Sequence, residues 1–119
     1  MPNLLILFGL FVCFFDALTS IDVAAHEIGH AVCSNTANLA YQRESGALNE
    51  GFSDIWGAAV EHFAKGNGND LAPSASVWLI GDEIDRRNGS SALRSMSNPN
   101  DRNQPDTYGG TNWKEPNCG

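Results

Sequence analysis

The chain has 119 residues, of which 42% are hydrophobic and 18% charged. This length and this balance of hydrophobic and charged residues are typical of one small globular domain, and the chain is too short for two domains. Its net charge of −7 offers no electrostatic attraction to nucleic acid or to an anionic membrane, so we exclude both as partners. The three cysteines, Cys13, Cys33 and Cys118, cannot all pair internally, so one partner lies outside this chain or the thiols are free.

The N-terminal segment from Leu4 to Phe15 is almost wholly apolar. Its 12 residues are too few for a stable membrane span, which needs about 20. The length suits the apolar part of a signal peptide, although no Lys or Arg precedes it. We therefore divide the chain into two parts. Residues 1–17 are a signal-like segment, a buried strand or a misassigned start, and residues 18–119 are the folded region.

Two long helices are predicted next. Apolar residues recur at helical spacing from Ile21 to Asn35, and Thr19 or Ser20 can cap this helix. A second helix is predicted from Gly46 to Lys65, capped by Ser45 and ended by a Gly-Asn-Gly run.

The rest of the chain carries weaker signals. A shorter helical stretch is predicted from Ala75 to Ile84. From Asp85 onward Asn, Gly, Ser and Pro dominate, which predicts an irregular tail. The expected fold is therefore mainly α.

The run His26-Glu27-Ile28-Gly29-His30 falls inside the first predicted helix. Two histidines four positions apart lie about 40° apart around a helix, so both rings can reach one metal ion. Glu27 can take a proton from a metal-bound water molecule. The pattern is typical of zinc metalloproteases. Five residues can also match by chance, and two histidines on an exposed helix face are then the alternative.

A catalytic zinc ion needs a third protein ligand. A third histidine at the metzincin spacing would fall at Thr36 and does not fit. A carboxylate on the second helix, Glu50, fits better, and Asp54 lies one turn further on the same face, where it can accept a hydrogen bond from a ligand imidazole. The alternative is an exposed acidic face. Apolar neighbours such as Phe52 favour a buried face, where an acid needs a partner such as a metal.

The stretch from Leu18 to Glu61 resembles the thermolysin family of zinc metalloendopeptidases (peptidase family M4, gluzincins). The matching stretches are Asp22–Val32, Tyr41–Glu50, Ser53–Ile55, Leu93–Pro99, and Gln104–Asp106 with Tyr108. The resemblance implies a partial catalytic region. It would be a mainly α fragment of an α+β catalytic domain, with two zinc-binding helices and an irregular C-terminal tail.

The resemblance also implies the site chemistry. Zn²⁺ would be bound by His26, His30 and Glu50, which is the ligand set known from thermolysin itself. Glu27 would be the general base, and Tyr41 would donate a hydrogen bond to the tetrahedral oxyanion.

Supporting roles follow from the same resemblance. Asp54 would orient His26, and Asn49 would support His30. Arg94, which in isolation would be interpreted as a surface cation, would contact a substrate carbonyl beside the scissile bond.

The family further places a double calcium site beside this region. Asp22, Glu61 and Asp82 stand at matching positions, whereas Val77 and Leu79 replace two acidic residues. Ca²⁺ needs several oxygen ligands, so we expect one calcium ion or none. The alternatives are a favourable helix N-terminal charge for Asp22 and solvated acids for the other two.

The implied function is hydrolysis of internal peptide bonds in protein or peptide substrates by a secreted enzyme, which we expect to be monomeric in its full-length form. The family's downstream Gly-Val-His stretch and β-rich N-terminal part have no counterpart here, so we expect a partial chain with negligible peptidase activity of its own. The alternative is a truncated or degenerate zinc-binding remnant. A gluzincin aminopeptidase fits less well, because its glutamate ligand comes one residue sooner.

Overall fold

The computed structural model describes residues 20–69, 71–87 and 91–114. The apolar N-terminal segment, Thr19, Cys13 and Cys118 lie outside these ranges, so the predictions made for them stay predictions. Cys33 is buried and carries a free thiol, which is one of the two alternatives given for the cysteines.

Helix α1 spans Ile21–Asn35, as predicted. Ser20 occupies the N-cap position, as predicted, but its side chain forms no capping hydrogen bond. The Asp22 carboxylate takes over part of that role, because its Oδ1 accepts the Val23 N–H at 2.8 Å.

Helix α2 spans Arg43–Lys65 and begins earlier than the predicted Gly46. Ser45 is therefore not its cap. The Ser45 hydroxyl points back and shares its one proton between the carbonyl oxygens of Ala40, at 2.5 Å, and Gln42, at 2.8 Å. These contacts hold the connection between α1 and α2 against the first turn of α2, and α2 begins before Ser45.

The helix predicted from Ala75 to Ile84 is wrong beyond its first turn. Residues Ala75–Trp78 form a 3-10 turn, and Leu79–Ile80 form strand β1. Gly81 then adopts a left-handed φ of 73°, which a helix cannot continue through.

The tail supplies the partner strand. Strand β2, Arg94–Ser95, pairs antiparallel with β1, so that Leu79 lies opposite Ser95 and Ile80 opposite Arg94. A second 3-10 turn, Pro99–Arg102, follows. The predicted irregular tail is therefore correct in general but contains the strand that carries Arg94.

The two long helices dominate the fold, and the prediction of a mainly α fragment is confirmed. A small core forms where Ala58 of α2 meets Val77 and Ile80, with Met96 packed against it. Among the described residues, no helix combines the length and the apolar character needed to cross a membrane.

The opposite face of the helix pair is apolar and open. A groove, here called the outer groove, is lined mainly by Ile21, Ala24, Ile28, Val32, Trp56 and Val60. Ile28 is 65% exposed and Trp56 52%. Phe52 is also exposed, so the buried face expected around it is wrong for Phe52, although the neighbouring Asp54 is buried.

Candidate metal centre

The centre is built from one face of α1 and the facing side of α2. His26 Nε2 lies 3.3 Å from one carboxylate oxygen of Glu50, and His30 Nε2 lies 3.5 Å from the other. Within the described part of the chain, these three residues form the group whose ligand atoms all lie within 4.8 Å of one another. Two imidazole nitrogens and one carboxylate are the donor set of a catalytic zinc site.

The other nitrogen of each ring is held by a residue of α2. His26 Nδ1 lies 2.7 Å from Asp54 Oδ1. His30 Nδ1 lies 2.7 Å from the Asn49 side-chain oxygen and 3.1 Å from the Ser53 hydroxyl. An Nδ1–H that donates to these oxygens leaves each Nε2 lone pair directed at Glu50, which is the tautomer that a metal ligand needs.

Arg94 locks the carboxylate that orients His26. Its Nε donates to Asp54 Oδ2 and its Nη2 to Asp54 Oδ1, both at 2.7 Å. Burial raises the pKa of Asp54, but the hydrogen bonds from His26 and Arg94 outweigh burial and hold that pKa below its usual value. Asp54 is therefore a carboxylate with a fixed orientation.

The interpretation of Arg94 as a surface cation is wrong, because β2 brings it onto Asp54. This contact could not be found from the sequence, since the two residues are 40 positions apart and lie on different elements.

The electrostatics of the centre favour a cation. Burial lowers the pKa of His26, but hydrogen bonds with Asp54 and Glu50 raise it to about 9. The pKa of Glu50 is lowered, chiefly by the hydrogen bond with His26. Without a metal ion, His26 is therefore a protonated ring between the Asp54 and Glu50 carboxylates at neutral pH, and a metal ion bound at Nε2 would replace the proton there. The residues present fit zinc in number, type and charge.

Two further predicted residues flank this pair of helices. Glu27 is exposed on α1, directly after His26 in the chain, and its negative charge acts on the Arg94 guanidinium. Tyr41 is 66% exposed, and its hydroxyl donates a hydrogen bond to Glu50 Oε1. The Tyr41 and His30 ring centroids are 5.8 Å apart. The Tyr41 hydroxyl therefore stands beside the three ligands.

The three acids assigned to calcium interact with one another through their charges. Asp22 and Glu61 are each 1% exposed, and Asp82 is half-buried. Within the described residues, they do not gather their oxygens within 4.8 Å as the zinc ligands do. Val77 and Leu79 contribute no side-chain oxygen. A full calcium coordination shell is not present among these side chains.

Comparison with known proteins agrees with this geometry. Residues 37–119 match the sequence profile of the thermolysin metallopeptidase α-helical domain. The chain is 44% identical over 98 residues to a bacillolysin of Bacillus cereus, which covers 82% of this chain and 16% of that protein. It is 46% identical to a thermolysin of Alicyclobacillus acidocaldarius over 89 residues, 74% of this chain and 15% of that protein.

A third relative, the neutral protease NprE of Bacillus pumilus, is 46% identical over 96 residues, 80% of this chain and 27% of that protein. The profile covers well over half of the chain, and the chain therefore belongs to the thermolysin family of metallopeptidases. It spans between 15% and 27% of the length of these three relatives.

Proposed function

We propose that this chain forms the zinc-binding part of a secreted metalloendopeptidase that cleaves internal peptide bonds of protein or peptide substrates. The observation that carries the proposal is the convergence of His26 Nε2, His30 Nε2 and the Glu50 carboxylate. The fixed Nδ1 partners support it, because structural histidines on an exposed face have no need of a matched carboxylate and amide behind them.

Each residue of the centre then has a role. His26, His30 and Glu50 hold the metal, while Asp54 and Asn49 orient the two rings. A zinc ion supplies Lewis acidity toward the substrate carbonyl and toward water. The exposed Glu27 carboxylate accepts the proton that the attacking water loses and delivers it to the leaving amine.

Two donors would complete the substrate side. The Tyr41 hydroxyl turns from Glu50 to the oxygen of the scissile carbonyl as negative charge develops there. Because Nε and Nη2 of Arg94 already donate to Asp54, Nη1 is left to donate to a substrate carbonyl. The same guanidinium would then link substrate binding to the orientation of His26.

Zinc binding and hydrolysis are tested separately. In the 119-residue chain we expect one zinc ion to bind, and we expect His26→Ala and Glu50→Ala to abolish that binding in a titration against a zinc-sensitive dye. His62→Ala is the matched control, because the third histidine lies on α2 outside the centre. Unchanged zinc binding by both ligand variants would overturn the assignment.

Hydrolysis is measured with a blocked peptide. We expect negligible cleavage by the 119-residue chain and cleavage by a longer form that contains it. In that longer form, Glu27→Gln should bind zinc normally yet lose cleavage. If a longer form binds zinc and never cleaves, the alternative function, a zinc-binding remnant without peptidase activity, becomes the better description.

A further inference from the structure

A cluster of acidic side chains, none of them a residue of the metal centre, lies where α1 and α2 meet the turn after β1. Its members are Asp22, Glu61, Asp82 and Glu83, here called the acidic cluster. Burial raises the pKa of both Glu61 and Asp82, and the charge of Asp22 raises both further. These carboxylates therefore repel one another, and the fold must offset that repulsion.

Glu61 is a buried and only partly paired member of the cluster. Its side chain is 1% exposed, and its Oε2 has no hydrogen-bond partner, like the buried Oδ1 of Asp82. A carboxylate removed from water destabilises the fold unless a cation or donors compensate it. The acidic cluster therefore requires a positive charge.

Lys65 provides one. It lies one turn after Glu61 on α2, and its ammonium group donates to Glu61 Oε1. The same Nζ lies 2.9 Å from Glu83 Oε1, so one ammonium bridges α2 and the turn after β1. The hydrogen bond with Glu61 is the main cause that raises the pKa of Lys65 far above its usual range.

Asp22 is already committed to the backbone. Its Oδ1 accepts the Val23 N–H at 2.8 Å, and its Oδ2 accepts the Gly81 N–H at 2.5 Å. These bonds fasten the start of α1 to the turn after β1. The nearby Val77 and Leu79 offer no side-chain oxygen, so few oxygens are left for a divalent cation, which prefers six or more.

We propose that Lys65 is the resident cation of the acidic cluster, and that this chain stabilises the junction of α1, α2 and β1 with its own ammonium group instead of a bound calcium ion. The inference does not depend on zinc binding or on hydrolysis, because the acidic cluster shares no residue with the metal centre.

The test compares thermal unfolding of the 119-residue chain with and without millimolar CaCl2. Zinc is kept constant, and trace calcium is removed from the buffers by resin rather than by a chelator. We expect the Tm of the unaltered chain to be the same in CaCl2 and in NaCl of equal ionic strength. A saturable rise in its Tm with CaCl2 would overturn the proposal.

Substitution of Lys65 supplies the second arm. Lys65→Met should lower Tm by at least about 4 °C, and CaCl2 should restore part of that loss because Glu61, Asp82 and Glu83 then lack a cation. Lys114→Met, which removes the other lysine at an exposed position, should change neither Tm nor its calcium response. A Lys65→Met chain as stable as the unaltered one would contradict the proposal.

A third variant covers the case in which Lys65→Met does not fold. Lys65→Arg retains the positive charge, so we expect it to fold, to melt near the unaltered chain and to ignore calcium. If Lys65→Arg instead gains stability from CaCl2, a positive charge on this side chain does not satisfy the acidic cluster and the inference fails.

Discussion

Gly57 lies against Asp22 so closely that a Cβ built on Gly57 would be 2.7 Å from the Asp22 carbonyl oxygen. One turn earlier on α2, a Cβ built on Gly29 of α1 would be 3.0 Å from the Ser53 Cα. The backbones of α1 and α2 are therefore in direct contact along their crossing. That contact sets the distance between the histidines of α1 and Glu50 of α2.

The close contact between the two helices predicts that one added methyl group at Gly57 destabilises the fold. Gly57→Ala should lower the free energy of unfolding by about 1–3 kcal/mol, because backbone atoms cannot yield as a flexible side chain can. The measurement is denaturant unfolding at saturating zinc.

Gly51→Ala is the matched control on the same helix. A Cβ at Gly51 meets nothing within 4 Å, so the change should raise stability by about 0.5–1 kcal/mol through helix propensity. Equal effects of the two substitutions would show that the helices do not touch at Gly57.

The hydrogen bond between Asp54 and His26 predicts that Asp54 controls zinc affinity. Asp54→Asn keeps the size of the side chain but removes the charge that holds the His26 Nδ1 proton, so zinc affinity should fall about 10- to 100-fold. Competition with a chromophoric chelator measures it. Asp101→Asn, at an exposed site on the second 3-10 turn, should leave zinc affinity unchanged, and a similar loss in both variants would refute the orienting role.

The two hydrogen bonds from Arg94 to Asp54 predict that substitutions at these two positions have coupled effects on zinc affinity. Arg94→Lys cannot make both bonds at once, so we expect a smaller loss of zinc affinity than in Asp54→Asn. Arg94 Nη2 lies 3.5 Å from His26 Nδ1, but its two closer hydrogen bonds are to Asp54. Because most of its effect on His26 therefore passes through Asp54, the loss in the double variant should be less than the sum of the two single losses. Additive losses in this double-mutant cycle would mean that Arg94 influences the centre by another route.

Local signals explain which parts of the fold the sequence could predict. The bounds of α1 followed from apolar periodicity, and the spacing of His26, His30 and Glu50 pointed to one site because all three lie on predicted helices. The start of α2 was misplaced because a serine in the first turn has the same sequence signature whether it caps forward or, like Ser45, binds back to earlier carbonyls.

Non-local contacts explain the rest. Strand β1 forms because it pairs with a segment of the tail. A strand of two residues is too short to show a periodicity in the sequence, so the sequence could not predict it. The pair Glu61 and Lys65 has the spacing of an ordinary exposed ion pair on a helix. Only the burial of Glu61 beneath the turn after β1 distinguishes it, and burial depends on tertiary structure.

The outer groove predicts the behaviour of the isolated chain. Ile28 and Trp56 expose large apolar surfaces side by side, and contiguous apolar surface drives association in water. We therefore expect the zinc-loaded chain to self-associate as its concentration rises, and the zinc-free chain to do so sooner because the helices then lack the ion that links them. Sedimentation velocity across a concentration series measures this.

A pair of substitutions identifies the surface responsible. Ile28→Gln combined with Trp56→Gln should reduce association and the binding of a hydrophobic dye, and should preserve one bound zinc ion because neither side chain is a ligand. Tyr108→Gln removes an aromatic group that is 82% exposed but lies outside the groove, so it should change association little. If Tyr108→Gln suppresses association as strongly as the double variant, the tail and not the outer groove is the contact surface.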